Sequence, residues 1–214
     1  MLMLSGQNVW VAMAGATAAG MAAGLATGIL HTFMGIPAIL AGILTQLGLY
    51  SINLKTMGKA NQAINVDKYD LLVSLRFIRK VPFYKNTILI VAIAIILLIV
   101  VLYWFFGTEL GCSLRATGCN DKMARAQGIN TDFNRVLGLM ISNGLVALSG
   151  AMLCQYQGFA DINMGRGAIV IGLAAVIIGE AIFGKVFRNF GFKLLAVALG
   201  SIIYYLVLQV VIWL

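Results

Sequence analysis

Few residues of this chain could do chemistry, and none of them forms a familiar catalytic group. Glu180 follows Gly179 near the end of an apolar run, and an ionisable side chain at membrane depth costs free energy unless it is paired or hydrated. It is therefore a candidate for binding an ion or a solute, with a position at the membrane interface as the equal alternative. His31 stands at a predicted turn, and we interpret it as an interfacial residue rather than a proton relay.

The other reactive residues argue against the common enzyme classes. Cys112, Cys119 and Cys154 are an odd number of cysteines without neighbouring histidines, which favours free thiols over a metal site. The sequence has no glycine-rich phosphate loop that ends in Lys-Ser or Lys-Thr, so any ATP hydrolysis must occur on another chain. We expect no catalysis, no metal and no cofactor in this chain.

Membrane helices are the elements that must position these residues. Hydrophobic residues make up 61% of the chain and charged residues 10%, and the mean hydropathy is +0.97, which is typical of an integral membrane protein. A hydrocarbon core about 30 Å thick needs roughly 20 apolar residues of helix, whose backbone groups find their partners internally. No basic residue precedes the first apolar run, so we predict a permanent span there rather than a signal peptide. We predict an all-α polytopic bundle of about six transmembrane helices, over residues 9–30, 36–54, 87–106, 136–154, 168–183 and 194–214.

Glycine and proline indicate how these helices connect and pack. Gly35 and Pro37 separate the first two spans into a hairpin. Residues 155–167 are rich in glycine and polar residues, so a broken or re-entrant element could precede the fifth span. A stripe of small residues on the first span would let another helix approach closely, and we favour packing within the bundle over contact between subunits. The stripe consists of Ala12, Ala16, Gly20, Gly24 and Gly28.

Polar residues in and beside the predicted spans are candidates for a translocation path. A small zwitterion needs such groups, although single Gln and Asn side chains in membrane helices more often bond neighbouring helices. The candidates are Gln46, Asn143, Gln155, Asp161, Asn163 and Glu180.

The distribution of basic residues does not decide the orientation in the membrane. Lys and Arg gather in cytoplasmic loops, but here eight lie on one side, mostly in residues 55–85, and seven on the other. Residues 67–80 are predicted to form a short amphipathic helix on the lipid surface. A solvated basic loop is the equal alternative.

A polar segment, residues 107–135, interrupts the apolar sequence. Asn120 or Asp121 can cap a short helix over residues 122–126, and Gly128 can end it. This predicts a compact knob that exposes Met123 and basic groups, which suits a groove on a soluble partner. A plain connecting loop is the weaker alternative, because long ordered loops usually carry function.

The residue order in this segment resembles the cytoplasmic coupling segment of permease subunits in the branched-chain amino acid and ribose class of ABC importers. The residues that carry the resemblance are Gly111, Arg115, Ala116, Gly118, Asn120, Ala124, Gly128, Ile129 and Asn130. Downstream, residues 149–152, 158–165 and 172–180 resemble the late membrane helices of the same permeases. The stretch 158–180 is most similar to an amino-acid-type subgroup, with aromatic amino acids among the candidate substrates.

The resemblance implies a multi-pass permease of the bacterial inner (plasma) membrane, embedded in the lipid bilayer and without a nucleic acid partner. It implies two ATPase subunits that hold ATP and Mg, a second permease subunit in a homodimer or heterodimer, and an extracytoplasmic substrate-binding protein. The polar segment would be cytoplasmic, and residues 55–85 external. The residues implied to couple this chain to the ATPase are Arg115, Ala116, Gly118, Asn120, Met123, Ala124, Arg125 and Gly128.

The family usually carries further helices before this point, so residues 1–214 are expected to form one transmembrane domain that is short at its N-terminus. The competing class is an ion-coupled secondary transporter or channel, in which Glu180, His31 or Asp161 would couple ion movement to transport. A dependence on sodium or protons without ATP would favour it. A membrane scaffold that transports nothing is a third possibility.

Overall fold

Helices make up almost all of the part of the chain that the computed structural model describes, which is residues 8–63, 87–165, 167–184 and 189–213. The fold class predicted from the sequence, an all-α polytopic membrane protein, is confirmed. The predicted helix over residues 67–80 lies outside the described residues. In chain order the elements are α1 (Val9–Thr32), α2 (Ala38–Met57), β1 (Asn61–Ala63), α3 (Thr87–Phe106), α4 (Glu109–Cys119), α5 (Asp121–Ala126), α6 (Thr131–Gln157), β2 (Phe159–Asp161), α7 (Ala168–Phe183) and α8 (Phe190–Trp213).

Five helices, α1, α2, α3, α6 and α8, are long and apolar enough to cross a membrane. The sixth predicted span, α7, is a shorter apolar helix of 16 residues, about 24 Å long. The bounds of α3 and α7 are as predicted, and those of the other spans differ by a few residues, most at the starts of α6 (Thr131) and α8 (Phe190). Both helices start among polar residues outside the apolar run, which hydropathy alone does not detect.

The chain folds into two compact units. The first contains α1, α2, α4, α5, α6 and the two strands, and the second contains α7, α8 and most of α3. In the second unit α7 and α8 are antiparallel and approach closely, since a Cβ added to Gly200 would lie 2.8 Å from the Cα of Gly179. The end of α3 joins them, with the rings of Phe106 and Phe190 5.0 Å apart.

The core of the first unit is the antiparallel pair of α1 and α6. A Cβ added to Gly24 would lie 2.8 Å from the Cα of Met140, and one added to Gly28 would lie 3.1 Å from the Cα of Val136. Gly20, one turn earlier in α1, faces the backbone of α6 at Asn143 in the same way. The small-residue stripe of α1 therefore packs against a helix of the same chain, and Ala16 continues it one turn further towards the N-terminus.

A tight hairpin joins α1 to α2. The Thr27 hydroxyl donates to the hydroxyl oxygen of Thr45 over 2.9 Å, and Gly35 takes a φ of 67° in the connection. The His31 Nδ1 lies 2.8 Å from the carbonyl oxygen of Ile36. This imidazole nitrogen is therefore engaged in closing the turn.

The two strands close the opposite end of the first unit. β1 follows α2, β2 follows α6, and they pair antiparallel with Gln62 opposite Ala160. The amide of Ile162 extends the pairing by donating to the carbonyl of Ala60 over 3.1 Å. Since α2 and α6 both run antiparallel to α1, the α1–α2 connection lies at the end where α6 starts, and the strands lie at the other end. The described residues after Gln155 thus form the last turn of α6, a strand and a turn.

Candidate functional site

Three side-chain caps divide the polar segment into helices. Thr108 Oγ1 accepts a hydrogen bond from the amide of Gly111 and starts α4. Asn120 Oδ1 accepts from the amide of Met123 over 3.1 Å and starts α5. Asn130 Oδ1 accepts from the amide of Phe133 over 3.1 Å and starts α6. Each cap satisfies a backbone donor that the first turn of a helix leaves free, so the segment is a chain of short helices rather than a loop.

The short helix predicted from the sequence is present as α5. Of the two candidate caps, Asn120 makes the capping bond, while Asp121 occupies the first turn, where a negative charge is favourable. The helix ends before Gly128, which takes a φ of 82°, a conformation that glycine adopts at little cost. The sequence did not predict α4, which contains Gly111 and Gly118.

Buried polar side chains fasten α4 to α6. Asn134 is only 4% exposed, and its Nδ2 donates to the hydroxyl oxygen of Thr117 over 3.0 Å and to that of Ser113 over 3.3 Å. Buried polar groups are costly to leave unpaired. The contact between α4 and α6 is therefore specific in both position and orientation, and we call these three residues the α4 clamp.

Charged side chains fasten α5 to the same helix. Arg125 donates through Nη2 to the Thr131 hydroxyl over 2.8 Å and to the Asp132 carboxylate over 3.0 Å. Arg135 Nη2 lies 2.6 Å from Oδ2 of Asp121, and its Nη1 lies 3.7 Å from Oδ1 of Asp132. We call these five residues the α5 clamp. It ties both ends of α5 to the first turns of α6.

The exposed residues of α5 form the tip of the segment. Met123 is 60% exposed, and Lys122 and Gln127 are exposed beside it. A methionine side chain is unbranched and polarisable, so it adapts to an irregular partner surface. Ala124 is 3% exposed and contributes to the internal packing of the segment.

The structure places all the coupling residues predicted from the sequence within this one segment. Arg115, Ala116 and Gly118 lie on α4, Asn120, Met123, Arg125 and Gly128 are exposed on α5 and its two ends, and Ala124 is buried. The segment thus presents a surface of backbone, small residues, one methionine and cations.

The predicted translocation residues of the first unit do not form one cluster. Gln46 is exposed on α2, whereas Asn143 lies in the contact between α6 and α1 and donates to the carbonyl of Leu139 over 2.9 Å. Asp161 and Asn163 come together in a turn, where the Asp161 carboxylate accepts from the Asn163 amide over 2.7 Å.

Two further candidates stand apart from these residues. Gln155 is 2% exposed, and its Oε1 has no hydrogen-bond partner among the described residues. Glu180 belongs to the second unit and is exposed on α7, close to the end of the helix at Phe183. The predicted path therefore remains a set of separate positions.

Sequence reasoning missed the residues that hold the polar segment together. A signal was available, because polar residues four positions apart share a helix face and several polar residues crowd the start of α6. The missed residues are Ser113, Thr117, Thr131, Asp132, Asn134 and Arg135.

The sequence is similar to those of known proteins. The family model described as branched-chain amino acid transport system, permease component, matches residues 1–214. The tyrosine transport system permease protein of Clostridioides difficile (strain R20291) is 40% identical over 188 residues, which are 86% of this chain and 59% of that protein. An uncharacterized protein of Rickettsia prowazekii (strain Madrid E) is 37% identical over 179 residues, 82% of this chain and 60% of that protein.

A more distant relative is named for an import system. The autoinducer 2 import system permease protein LsrC of Yersinia pestis (strain Pestoides F) is 33% identical over 163 residues, which are 75% of this chain and 44% of that protein. No solved structure matches the chain. The chain spans about three fifths of the length of the first two relatives.

The match over the whole chain confirms the resemblance that the polar segment carries, and the apolar helices fit the same family. The relatives with named functions are permease components of transport systems, which are not enzymes. The chain belongs to the family of permease components of branched-chain amino acid transport systems, and it is a multi-pass protein of the bacterial inner membrane.

Proposed function

We propose that this chain is the membrane-spanning permease subunit of an ATP-binding-cassette importer, and that its polar segment is the coupling segment that receives the ATPase. The observation that carries the proposal is the exposed tip at Met123, held by two clamps to the start of α6. An exposed tip that is held rigidly can transmit the movement of a bound partner to α6, whereas a flexible connecting loop would deform instead.

The clamps give this force a route into the membrane helices. Movement of α5 reaches α6 through Arg125 and Arg135, and movement of α4 reaches it through Asn134. Because α6 and α1 approach at backbone distance along Gly20, Gly24 and Gly28, the two helices move as one body. ATP and Mg would reside on two separate ATPase subunits, whose closure pushes on the tip.

The remaining partners follow from the same role. A second permease subunit, identical or different, would complete the membrane part. A substrate-binding protein would deliver solute at the end of the first unit that carries β1 and β2, which is opposite the polar segment. The solute is an amino acid or a related small molecule, since one relative is named for tyrosine transport and the family to which this chain belongs is named for branched-chain amino acids.

Two residues of the ion-coupled alternative are occupied by local contacts. His31 closes the α1–α2 turn through its contact with Ile36, and Asp161 accepts the amide of Asn163 in a turn. These contacts favour structural roles for both side chains, so the importer is the function that we propose.

Co-purification tests the proposal. The full-length permease is isolated in mild detergent from its native membranes, and proteins present in near-stoichiometric amount are identified by mass spectrometry. We expect a nucleotide-binding ATPase with the unchanged protein and its loss from the Met123→Asp variant. Asn163→Asp, an exposed position at the opposite end of the unit, is the matched control and should retain it. Retention by both variants would remove the coupling assignment.

A further inference from the structure

A polar stripe runs along one side of α8, in the second unit. Ser201, Tyr205 and Gln209 are spaced four residues apart, so they lie on one face of the helix. With Ile202 and Leu206 they line an open groove of about 390 Å³. The groove lies on a different helix from the polar segment and from the candidate path residues named above.

The groove lies at hydrocarbon depth. Trp213 at the end of α8 is a typical interfacial anchor, and a rise of about 1.5 Å per residue puts Gln209 roughly 6 Å, Tyr205 roughly 12 Å and Ser201 roughly 18 Å further along the helix. A hydrocarbon core about 30 Å thick therefore contains the stripe.

Two of the three polar groups in this groove lack a hydrogen-bond partner within the described part of the chain. The Ser201 hydroxyl donates to the carbonyl of Ala198 over 2.7 Å, but no residue that the structure describes hydrogen-bonds to the Tyr205 hydroxyl or to the Gln209 carboxamide. Tyr205 is 55% exposed. Unpaired polar groups are costly in hydrocarbon, so lipid tails do not suit this face, and water or protein must cover it.

The side chains of the groove favour water over another helix. At the closest helix contacts described in this chain, glycine makes room, as at Gly24 between α1 and α6 and at Gly200 between α8 and α7. The groove offers Ile202, Tyr205 and Leu206 instead, which are all large and more than half exposed.

We propose that this face of α8 is a wall of the water-filled path taken by the solute, and that Tyr205 and Gln209 contact the solute there. This inference rests on the proposed transport function. The groove combines uncharged hydrogen-bonding groups with apolar walls, and the aromatic ring of Tyr205 can pack against a flat apolar group. It therefore fits a small solute with both polar and apolar parts, such as an amino acid with a large apolar or aromatic side chain.

Cysteine accessibility tests this wall. The full-length permease complex carries Cys112→Ala, Cys119→Ala and Cys154→Ala, so that each added cysteine is the only thiol within residues 1–214. Tyr205→Cys and Gln209→Cys are compared with Val207→Cys, which lies two residues from Tyr205, on nearly the opposite side of α8. The reagent is a charged methanethiosulfonate. The cysteine thiolate attacks its sulfenyl sulfur, forms a mixed disulfide and displaces methanesulfinate, and this happens quickly only where water reaches the cysteine sulfur and lets the thiolate form.

We expect Tyr205→Cys and Gln209→Cys to react at least about tenfold faster than Val207→Cys, and saturating L-phenylalanine to slow both reactions. Leu206→Cys on the same groove serves if Tyr205→Cys fails to insert. Equal rates at the groove and at Val207 would overturn the proposal, and so would a disulfide between two copies at position 205. ATP-dependent uptake of L-phenylalanine into vesicles that contain the same complex separates the two proposals. Uptake with an unreactive groove overturns only the assignment of this wall, whereas no uptake by the unsubstituted complex overturns the importer role.

Discussion

The two halves of α6 are held by opposite means. Its membrane half contacts α1 through glycines, with backbone against backbone at Gly24 and Gly28. Its first turns contact α4 and α5 through side-chain hydrogen bonds and ion pairs, as at Asn134 and Arg125. The difference follows from the solvent. In lipid there is no hydrophobic force between helices, so close packing by small residues must hold them, whereas in water a specific polar contact fixes a short helix that could not stand alone.

Substitution in the glycine contact between α1 and α6 should lower the free energy of unfolding more than substitution in the polar contacts of α4 and α5. Gly24→Leu forces a side chain into the backbone of α6 at Leu139 and Met140, and we expect a loss of roughly 3 kcal/mol in the free energy of unfolding, at the upper end for overpacking. The measurement is an unfolding titration of the purified protein in mild detergent. Gly48→Leu on α2 is the matched control, because nothing described lies within 4 Å of a Cβ at that position. Equal losses in both variants would mean that the α1–α6 contact has no special role.

Disrupting the α4 clamp should cause the second-largest loss in the free energy of unfolding. Asn134→Ala removes the donor to Thr117 and Ser113 and leaves these hydroxyls without it, which should cost about 2 kcal/mol. The same unfolding titration measures this loss. Asn163→Ala, at an exposed position, should change the unfolding free energy by less than about 0.5 kcal/mol. An Asn134→Ala protein as stable as the parent would contradict the clamp.

The α5 clamp should contribute less to stability, because its charges are partly in water. Asp132→Asn weakens the pairs with Arg125 and Arg135, whose side chains are 59% and 36% exposed, and we expect a loss of at most about 1 kcal/mol. The difference from the parent should shrink at 1 M salt, where the Debye length is about 3 Å. A difference that is unaffected by salt would assign the loss to something other than these ion pairs.

The tip should have no role in stability at all. Met123→Ala shortens an exposed side chain, and we expect a change in unfolding free energy within about 0.5 kcal/mol together with weaker ATP-driven uptake. Both are measured on the same preparation, in detergent and after reconstitution with the ATPase. A large loss of stability would show that Met123 packs inside the protein, against its observed exposure.

Length and hydropathy were enough to predict the membrane helices, and cap residues were enough to predict α5. They did not predict α4, because Gly111 and Gly118 have low helix propensity and the segment is too short to be helical by itself. Thr108 caps α4, and Thr117 of α4 hydrogen-bonds with Asn134 of α6. These two contacts stabilise α4 as a helix. Asn134 lies 17 residues further along the chain than Thr117, so the local sequence of α4 does not reveal it.

The polar residues of the spans were harder to interpret for the same reason. Asn143 and Gln46 look alike in the sequence, yet one lies against α1 and the other is exposed. The stripe on α8 was missed because Tyr205 and Gln209 each look like an isolated polar residue in an apolar run. Their four-residue spacing was the available signal, whereas the groove depends on how the side chains of α8 are placed in the folded protein.

Cross-linking from Met123 tests most directly whether the polar segment receives an ATPase. In the background without the three native cysteines, the full-length permease carries Met123→Cys, or Asn163→Cys as the control at the opposite end of the first unit, and native membranes are treated with a short thiol-to-amine cross-linker. We expect an adduct between the Met123→Cys protein and a nucleotide-binding ATPase, and none from Asn163→Cys. No adduct from position 123, or the same adduct from both positions, would contradict the coupling role.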